Sequence, residues 1–289
     1  MTARNEDGVL VKTPYKKQEF TELQLQEFMK CADPESGPEY FLRNFFFIQH
    51  PVQGKIQYNP WEFQERLIKT YHNYRFSISM MPRQTGKSTS AAGYLLWFAM
   101  FKPDSTILVA AHKYAGAQEI MQRVRYSYEA CPDHIRAGAT SYNKGSIEFD
   151  NGSRIVAQTT TENTGRGMSI TLLYCDEFAF VRPTIAKEFW TSISPTLSTG
   201  GGAIITSTPN SDEDQFAFIW KGANKTEDEY GNTKELGVNG FKAYRAYWRE
   251  HPDRDEPWAE EQRNILGVER FRREMDCEFI INDETLIAP

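Results

Sequence analysis

The stretch "MPRQTGKS", residues 81–88, combines the residue types of a phosphate-binding loop. A loop of the form G-x-x-x-x-G-K-[ST] turns backbone N–H groups toward phosphate oxygens, and adds a lysine for the outer phosphates and a hydroxyl for magnesium. Gly86, Lys87 and Ser88 fit this form, whereas Met81 stands where the first glycine belongs. The triplet also arises by chance, but its position between an apolar segment and a helical one favours a nucleotide site.

Two adjacent acids, Asp176 and Glu177, follow the apolar segment "LLYC". One carboxylate suits a magnesium shell, and a second carboxylate one residue later suits the polarisation of an attacking water. Two acids at the end of a strand are also compatible with a solvated pair or a helix cap. The pattern alone leaves both interpretations open.

Two arginines and a glutamine are candidates for nucleotide contacts. Arg83 lies inside the loop, and Arg166 lies in "NTGRGMS" ahead of the acidic segment. An arginine near a transferring phosphoryl group stabilises its developing charge, although a surface arginine is the alternative for Arg166. Gln64 has an amide suited to adenine, and a solvent-facing glutamine is its alternative.

Three hydroxyl residues, Thr206, Ser207 and Thr208, end another apolar segment. Their hydroxyls are suited to hydrogen bonds with a catalytic water. A hydroxyl-rich turn before Pro209 is the ordinary alternative.

These residues require elements that bring them together. Short apolar segments at residues 76–80, 106–111, 170–177 and 201–210 predict buried strands, and helical patterns separate them. Buried strands alternating with helices predict an α/β fold with a mostly parallel sheet covered on both faces. Ligands bind such sheets beyond the carboxyl ends of the strands, where the candidate residues lie.

Local signals predict further elements. Thr21 and Gln24 have capping-box spacing at the start of a helix over residues 21–32. We predict further helices over residues 38–50, from about residue 60, and over 257–267. The pair Asn151-Gly152 predicts a hairpin turn. The segment "YRAYWRE", residues 244–250, favours an alternating strand over a nucleic-acid stacking surface.

Composition narrows the class of protein. The longest dense apolar run, residues 91–101, is shorter than the roughly 20 residues of a membrane span, and no secretory leader opens the sequence. The four cysteines and five histidines are scattered, which argues against a zinc site or a disulfide framework. A net charge of -6 predicts that any DNA contact is local or transient.

With these motifs in order, the chain resembles the ATPase domain of the large terminase subunit of tailed bacteriophages, the motor that drives DNA into preformed capsids. The matching stretches are "PRQTGKST", "AAHK", "NKGSIEFDNGS", "NTGRGMS", "LLYCDEFAFV" and "ITSTPN". The family's phosphate loop carries an arginine and often lacks the first glycine, which favours a functional loop here. The resemblance implies a P-loop NTPase of the additional-strand, RecA-like class with a small helical subdomain.

The resemblance also implies ATP and Mg²⁺ as cofactors. Nucleotide contacts are implied for Gln64, Pro82, Arg83, Gln84, Thr85, Gly86, Lys87, Ser88 and Thr89. Ser88 and Asp176 would hold magnesium, and Glu177 would be the catalytic base. Arg83 would act within its own subunit and Arg166 on the nucleotide of the neighbouring subunit. Thr206, Ser207 and Thr208 resemble the motif that couples hydrolysis to movement.

The implied partners are double-stranded viral DNA, the portal protein, the small terminase subunit and further copies of the chain in a ring on the capsid. No membrane is implied, and the implied location is the host cytoplasm, with transient docking on the procapsid. A helicase-like translocase shares the same site and is an alternative. An ATP-binding assembly switch with little hydrolysis is another, although Glu177 argues against it.

We predict one ATPase domain over residues 1–289, with a core at about 45–245 and flanks, 1–44 and 246–289, that form a helical lid or linker. Family members continue into a nuclease domain of ribonuclease H type, whereas this chain stops after "DETLIAP". We interpret it as a fragment or as a protein whose nuclease resides elsewhere, and expect no endonuclease activity.

Overall fold

The computed structural model describes residues 10–281. Its helices are α1 (Glu22–Ala32), α2 (Gly37–Phe45), α3 (Glu62–Asn73), α4 (Lys87–Phe101), α5 (Tyr114–Ala130), α6 (Pro183–Ile193), α7 (Gln215–Asn224), α8 (Glu256–Leu266) and α9 (Val268–Glu274). Its strands are β1 (Phe47–His50), β2 (Gly54–Gln57), β3 (Phe76–Met80), β4 (Thr106–Ala111), β5 (Ala139–Tyr142), β6 (Ser146–Phe149), β7 (Arg154–Thr159), β8 (Leu172–Asp176), β9 (Gly202–Ser207) and β10 (Lys242–Arg245).

An eight-stranded sheet in the order β10-β3-β9-β8-β4-β7-β6-β5 organises the chain. The neighbours from β10 to β7 run parallel, whereas β6 and β5 are antiparallel additions at one edge. The predicted mostly parallel sheet is therefore confirmed. β9 lies between β3, which precedes the phosphate loop, and β8, which precedes the acids. This inserted strand defines the additional-strand class, so that prediction is confirmed as well.

Helices cover both faces of the sheet because successive strand residues point to opposite sides. In β4, Ile107 and Val109 join a core formed with α2, α3, α4 and α5. Leu108 and Ala110, which alternate with them, join a second core formed with α6 and α7. The predicted strands at residues 76–80 and 106–111 have the observed bounds, because a fully apolar segment is stable only where both faces are buried.

α4 lies at the centre of the first core. All ten residues from Ala91 to Met100 are buried, so the helix has almost no solvent-facing side. A helix that is apolar on all sides is stable only when it is surrounded by other elements. Its first turn, at Lys87, is thereby held firmly beside the sheet.

Two sequence predictions need correction. The helix expected over residues 38–50 ends at Phe45, and Phe47–His50 instead forms β1, paired antiparallel with β2. The Phe47 N–H donates to Ser127 Oγ of α5 at 3.0 Å, a contact that local periodicity does not encode. The strand expected over residues 244–250 ends at Arg245, and a 3₁₀ turn, Trp248–Glu250, follows it.

Other local predictions are confirmed. The capping box of α1 forms between Thr21 and Gln24, and Asn151-Gly152 makes the turn between β6 and β7, where Gly152 has φ 84°. The helix expected over 257–267 is α8, which with α9 encloses a small third core around Trp248 and Phe271. Within residues 10–281 no helix has the length and apolar character needed to span a bilayer.

The boundaries of the predicted single domain, with its core at about 45–245, stay a prediction. The final stretch "DETLIAP", on which the expected missing nuclease was argued, lies outside the described residues.

Candidate nucleotide site

The phosphate loop connects β3 to the first turn of α4, as predicted. α4 begins at Lys87, and Gly86 before it has φ 75°, a left-handed conformation that favours glycine. A Cβ at Gly86 would lie 2.5 Å from Gln64 Nε2, so the space also requires glycine. The amino end of α4 therefore presents free N–H groups and a positive partial charge to an anion.

The missing first glycine has a structural explanation. Met81 is fully buried, and its N–H approaches Ser207 O of β9 at 3.4 Å. The left-handed turn of the loop occurs instead at Gln84, with φ 56°, and Thr85 Oγ1 donates to Pro82 O at 2.7 Å to close it. The loop thus obtains its curvature without a glycine at position 81, at the cost of strain at Gln84.

Gln64 supports the loop from the side of α3. Its side chain is 3% exposed, its Nε2 donates to Thr85 O at 3.0 Å, and its Oε1 accepts from Trp61 N at 3.1 Å. Tyr58 Oη donates to the same oxygen at 3.2 Å. Protein groups therefore occupy both ends of the amide. The predicted contact between Gln64 and adenine stays a prediction, with one N–H left for it.

Two residues of the C-terminal region hold the outer side of the loop, Arg254 just before α8 and Glu274 at the end of α9. Arg254, 8% exposed, donates from Nη2 to Arg83 O at 3.1 Å and to Gln84 O at 2.8 Å. Glu274 O accepts from Arg83 N at 3.2 Å, and its carboxylate lies 3.7 Å from Arg83 Nε. Sequence reasoning missed Arg254 and Glu274, because nothing local distinguishes them from the other charges near the C-terminus.

The two predicted acids lie at the end of β8, facing the loop. Lys87 Nζ and Glu177 Oε1 are 2.6 Å apart, and Lys87 is only 7% exposed. Glu177 has φ 50°, an unfavourable left-handed conformation for a non-glycine residue, and it starts a 3₁₀ turn. Strain of this kind is typical of functional sites, where the surrounding structure fixes a residue in a required orientation.

Asp176 is buried beside Glu177. Burial, reinforced by the neighbouring Glu177 charge, raises the pKa of the Asp176 carboxyl to about 6, while Lys87 acts in the opposite direction. Tyr174 Oη donates to Asp176 Oδ1 at 3.2 Å. A buried carboxylate with so few compensating partners is favourably placed for a cation.

Thr206 and Ser207 at the end of β9, and Thr208 directly after it, lie between the loop and the acids. Strand register pairs Ser207 with Met80 on one side and Thr206 with Asp176 on the other. All three are fully buried, and Ser207 Oγ accepts from Ala179 N at 3.2 Å. The hydroxyl oxygens of Thr206 and Thr208 have no partner among the described residues. Such atoms are suited to water or ligand contacts.

Arg166 is not joined to this cluster. It is exposed in the connection from β7 to β8, between Gly165 and Gly167, which both have positive φ. Within residues 10–281 its guanidinium makes no hydrogen bond or ion pair. The structure thus brings together Lys87, Glu177 and the β9 hydroxyls, and leaves Arg166 facing solvent.

The donor set fits magnesium. Asp176 and the half-buried Ser88 offer oxygen ligands near the loop, and Thr206, with an unpaired hydroxyl, is the strand partner of Asp176. Among the described residues no group of three or more His, Cys, Asp or Glu side chains is arranged to hold a metal. One carboxylate, one hydroxyl and substrate phosphates form the sparse protein ligand set that Mg²⁺ commonly uses.

A family model described as terminase large subunit, T4-like-virus type, N-terminal, matches residues 78–288. The chain belongs to this terminase family. As a member of this family, the chain is part of a viral DNA-packaging motor with ATPase activity. The matched residues include the phosphate loop, the acids and the β9 hydroxyls.

Solved structures share the fold of this terminase chain. The large terminase ATPase domain of Thermus phage P74-26 is 21% identical, with a TM-score of 0.62 over 77% of this chain and 95% of that one. The bacteriophage HK97 large terminase is 17% identical, with a TM-score of 0.64 over 82% of this chain and 53% of that one. The large terminase of the thermophilic bacteriophage D6E in complex with ADP is 10% identical, with a TM-score of 0.58 over 76% and 53%.

Proposed function

We propose that this terminase chain hydrolyses ATP between the phosphate loop and the end of β8, and that hydrolysis drives double-stranded DNA into a procapsid. The observation that carries the proposal is the 2.6 Å pair of Lys87 Nζ and Glu177 Oε1, which joins the two halves of the site. Because these two side chains meet, a terminal phosphate bound by the lysine would lie next to the carboxylate, with its attacking water between them.

The roles follow from position. The N–H groups at the start of α4 and the Lys87 ammonium bind the phosphates, which takes Lys87 away from Glu177. Glu177, once released, accepts a hydrogen bond from the attacking water and orients it for in-line displacement. Arg83 stands at the rim of the loop, and its guanidinium stabilises charge that develops on the transferred group.

Magnesium would be held by Ser88 and Asp176 together with the nucleotide phosphates. When bound, it neutralises phosphate charge and orients the terminal phosphoryl group. Burial disfavours the charged form of Asp176, so a divalent cation is the partner that keeps this carboxylate ionised.

The remaining assignments concern assembly. The chain spans 53% of the HK97 large terminase. We propose that copies of this chain form a ring on the portal in the host cytoplasm and contact the small terminase subunit. We further propose that the isolated subunit binds DNA weakly. We also propose that it lacks endonuclease activity, which metal-dependent cutting of DNA by the purified chain would contradict.

The test compares ATP turnover and ATP binding in the wild type, Lys87→Ala and Glu177→Ala. We expect both substitutions to reduce turnover by at least about a thousandfold, because each removes a charge that acts on the reacting phosphate. Glu177→Ala should retain ATP binding, whereas Lys87→Ala should weaken it. Glu188→Ala, an exposed acid on α6, is the matched control and should keep wild-type turnover.

Each outcome separates the alternatives. Wild-type turnover in Glu177→Ala would show that Glu177 is not the catalytic base. Binding with no single-turnover hydrolysis in an assembled wild-type ring would favour a nucleotide-dependent assembly switch. Separation of strands by the wild type would favour a helicase-like translocase.

A further inference from the structure

Tyr174 lies in β8, two residues before Asp176. Successive strand residues point to opposite faces, so these two side chains share one face of the sheet. Tyr174 is fully buried in the first core, and its Oη donates to Asp176 Oδ1 at 3.2 Å. A buried hydroxyl without a partner costs free energy, so this hydrogen bond explains how a polar atom is tolerated in an apolar core.

We infer that Tyr174 is a positioning residue for magnesium binding, because its hydroxyl holds one oxygen of Asp176 and leaves the other, Oδ2, for the cation. The inference rests on the proposed function, in which Ser88 and Asp176 hold magnesium together with the nucleotide phosphates. It gives a role to a residue of the apolar segment before the acids.

The scarcity of other partners for Asp176 is the first argument. Within residues 10–281, Tyr174 Oη is the one group that hydrogen-bonds the Asp176 side chain, and no ion pair includes it. Lys87 forms its ion pair with Glu177 instead. A carboxylate can rotate about its terminal bond, so this single hydrogen bond decides which oxygen is held by the protein.

The rigidity of the tyrosine is the second argument. β8 is a central strand, and Tyr174 lies in register between Val109 of β4 and Ile204 of β9. All three side chains are buried in the first core. A ring enclosed by close-packed neighbours keeps one rotamer, so its hydroxyl gives the carboxylate a fixed point of attachment.

The neighbouring hydroxyls are the third argument. Thr206 of β9 pairs with Asp176, and Ser79 of β3 pairs with Thr206, so the three form one row across the sheet. The hydroxyls of Thr206 and Ser79 have no partner among the described residues, and neither donates to the carboxylate. Tyr174 thus makes a contact that the hydroxyls of this row do not make.

The experiment measures the Kd for a non-hydrolysable ATP analogue, once with saturating Mg²⁺ and once with the metal removed by EDTA. In Tyr174→Phe we expect the Kd with Mg²⁺ to rise about tenfold, because losing the outer partner of a metal ligand weakens metal binding to about this extent. The Kd in EDTA should stay at the wild-type value. In turnover, the Mg²⁺ concentration that gives half-maximal rate should rise, whereas kcat at saturating Mg²⁺ should change less.

Tyr71→Phe is the matched control. Tyr71 is 3% exposed in the same core, and its hydroxyl makes no hydrogen bond to Asp176. We expect wild-type Kd values in both conditions. Each of the two substitutions keeps the ring and removes one buried oxygen, so a general effect on packing would appear in both proteins.

A double-mutant cycle tests whether Tyr174 acts through the carboxylate. Asp176→Ala should weaken binding of the analogue with Mg²⁺. Adding Tyr174→Phe to it should weaken binding no further, because the hydroxyl then has no carboxylate to hold. A second tenfold loss in the double mutant would contradict the positioning role.

Two further results would overturn the inference and leave the proposed function intact, provided that Lys87→Ala weakens nucleotide binding. A wild-type Kd with Mg²⁺ in Tyr174→Phe would show that the hydrogen bond is dispensable. An equal rise in Kd with and without metal would show that the hydroxyl supports the phosphate loop or the fold. Wild-type affinity in Lys87→Ala would contradict the proposed phosphate site itself and, with it, this inference.

Discussion

The ion pair between Lys87 and Glu177 links two roles that compete with each other. In this contact a Lys87 N–H and Glu177 Oε1 satisfy each other, so phosphate competes with the glutamate for the ammonium, and water competes with the lysine for the carboxylate. Phosphate binding therefore weakens the pair and leaves Glu177 more available to water. This competition would limit wasteful activation of water at an empty site.

The competition predicts an affinity change that a simple base would not cause. Glu177→Gln should bind ATP about threefold to tenfold more tightly than the wild type, because Lys87 no longer has to leave an ionised partner. Turnover should be lost in the same protein. The measurement is the Kd for ATP, with Glu188→Gln as control, and a wild-type Kd would show that breaking the pair costs nothing.

At the scale of elements, the loop is held from two sides by segments that are distant in sequence. Gln64 of α3 supports it on one side, and on the other Arg254 and Glu274 connect it to α8 and α9. Arg254 is a positioning residue, because it donates to loop carbonyls and so keeps the loop N–H groups turned toward the nucleotide. Movement of α8 and α9 would consequently shift the loop that binds the phosphates.

Arg254→Lys should raise the KM for ATP about threefold to tenfold and change kcat less, because an ammonium lacks the planar guanidinium that lies over the Trp258 ring and holds Nη2 at both carbonyls. Steady-state kinetics check this split. Arg263→Lys is the control, since its partner Glu256 is an exposed acid on the same helix. A fall in kcat of about threefold to tenfold, with no change in KM, would contradict the positioning role.

The elements also show what sequence can predict. β3, β4 and the Asn151-Gly152 hairpin were predictable because their signals are local: an apolar run, or a turn pair between alternating segments. β1 was not, because "FIQH", residues 47–50, becomes a strand through its pairing with β2 and its contact with Ser127 of α5. The loop residues and acids could be predicted from a motif, whereas Arg254 joins the site through contacts 170 residues away along the chain.

At the scale of the whole molecule, Arg166 stands apart from the site of its own chain. Its position in an exposed glycine-flanked loop suits a contact with a neighbouring copy. Subunits related head to tail in a ring would each offer this loop to the next site. The prediction that it acts across subunits can therefore be tested only in an assembly.

Arg166→Ala and Lys87→Ala proteins should each be inactive, and mixing them under conditions that permit ring assembly should restore turnover. In a random equal mixture, about a quarter of interfaces combine an intact loop with an intact arginine. Mixing Lys87→Ala with Glu177→Ala, two defects in one site, is the control and should restore none. Absence of rescue in the first mixture would contradict a role across the interface.

The position of β9 in the sheet sets the width of the catalytic gap. Neighbouring strands lie about 4.8 Å apart, so one inserted strand separates the ends of β3 and β8 by about 10 Å. That width accommodates a phosphoryl group and one water between the loop and Glu177. Lys87, seven residues beyond the end of β3, contacts Glu177 Oε1 directly after β8, so its ammonium joins the two sides of the inserted strand.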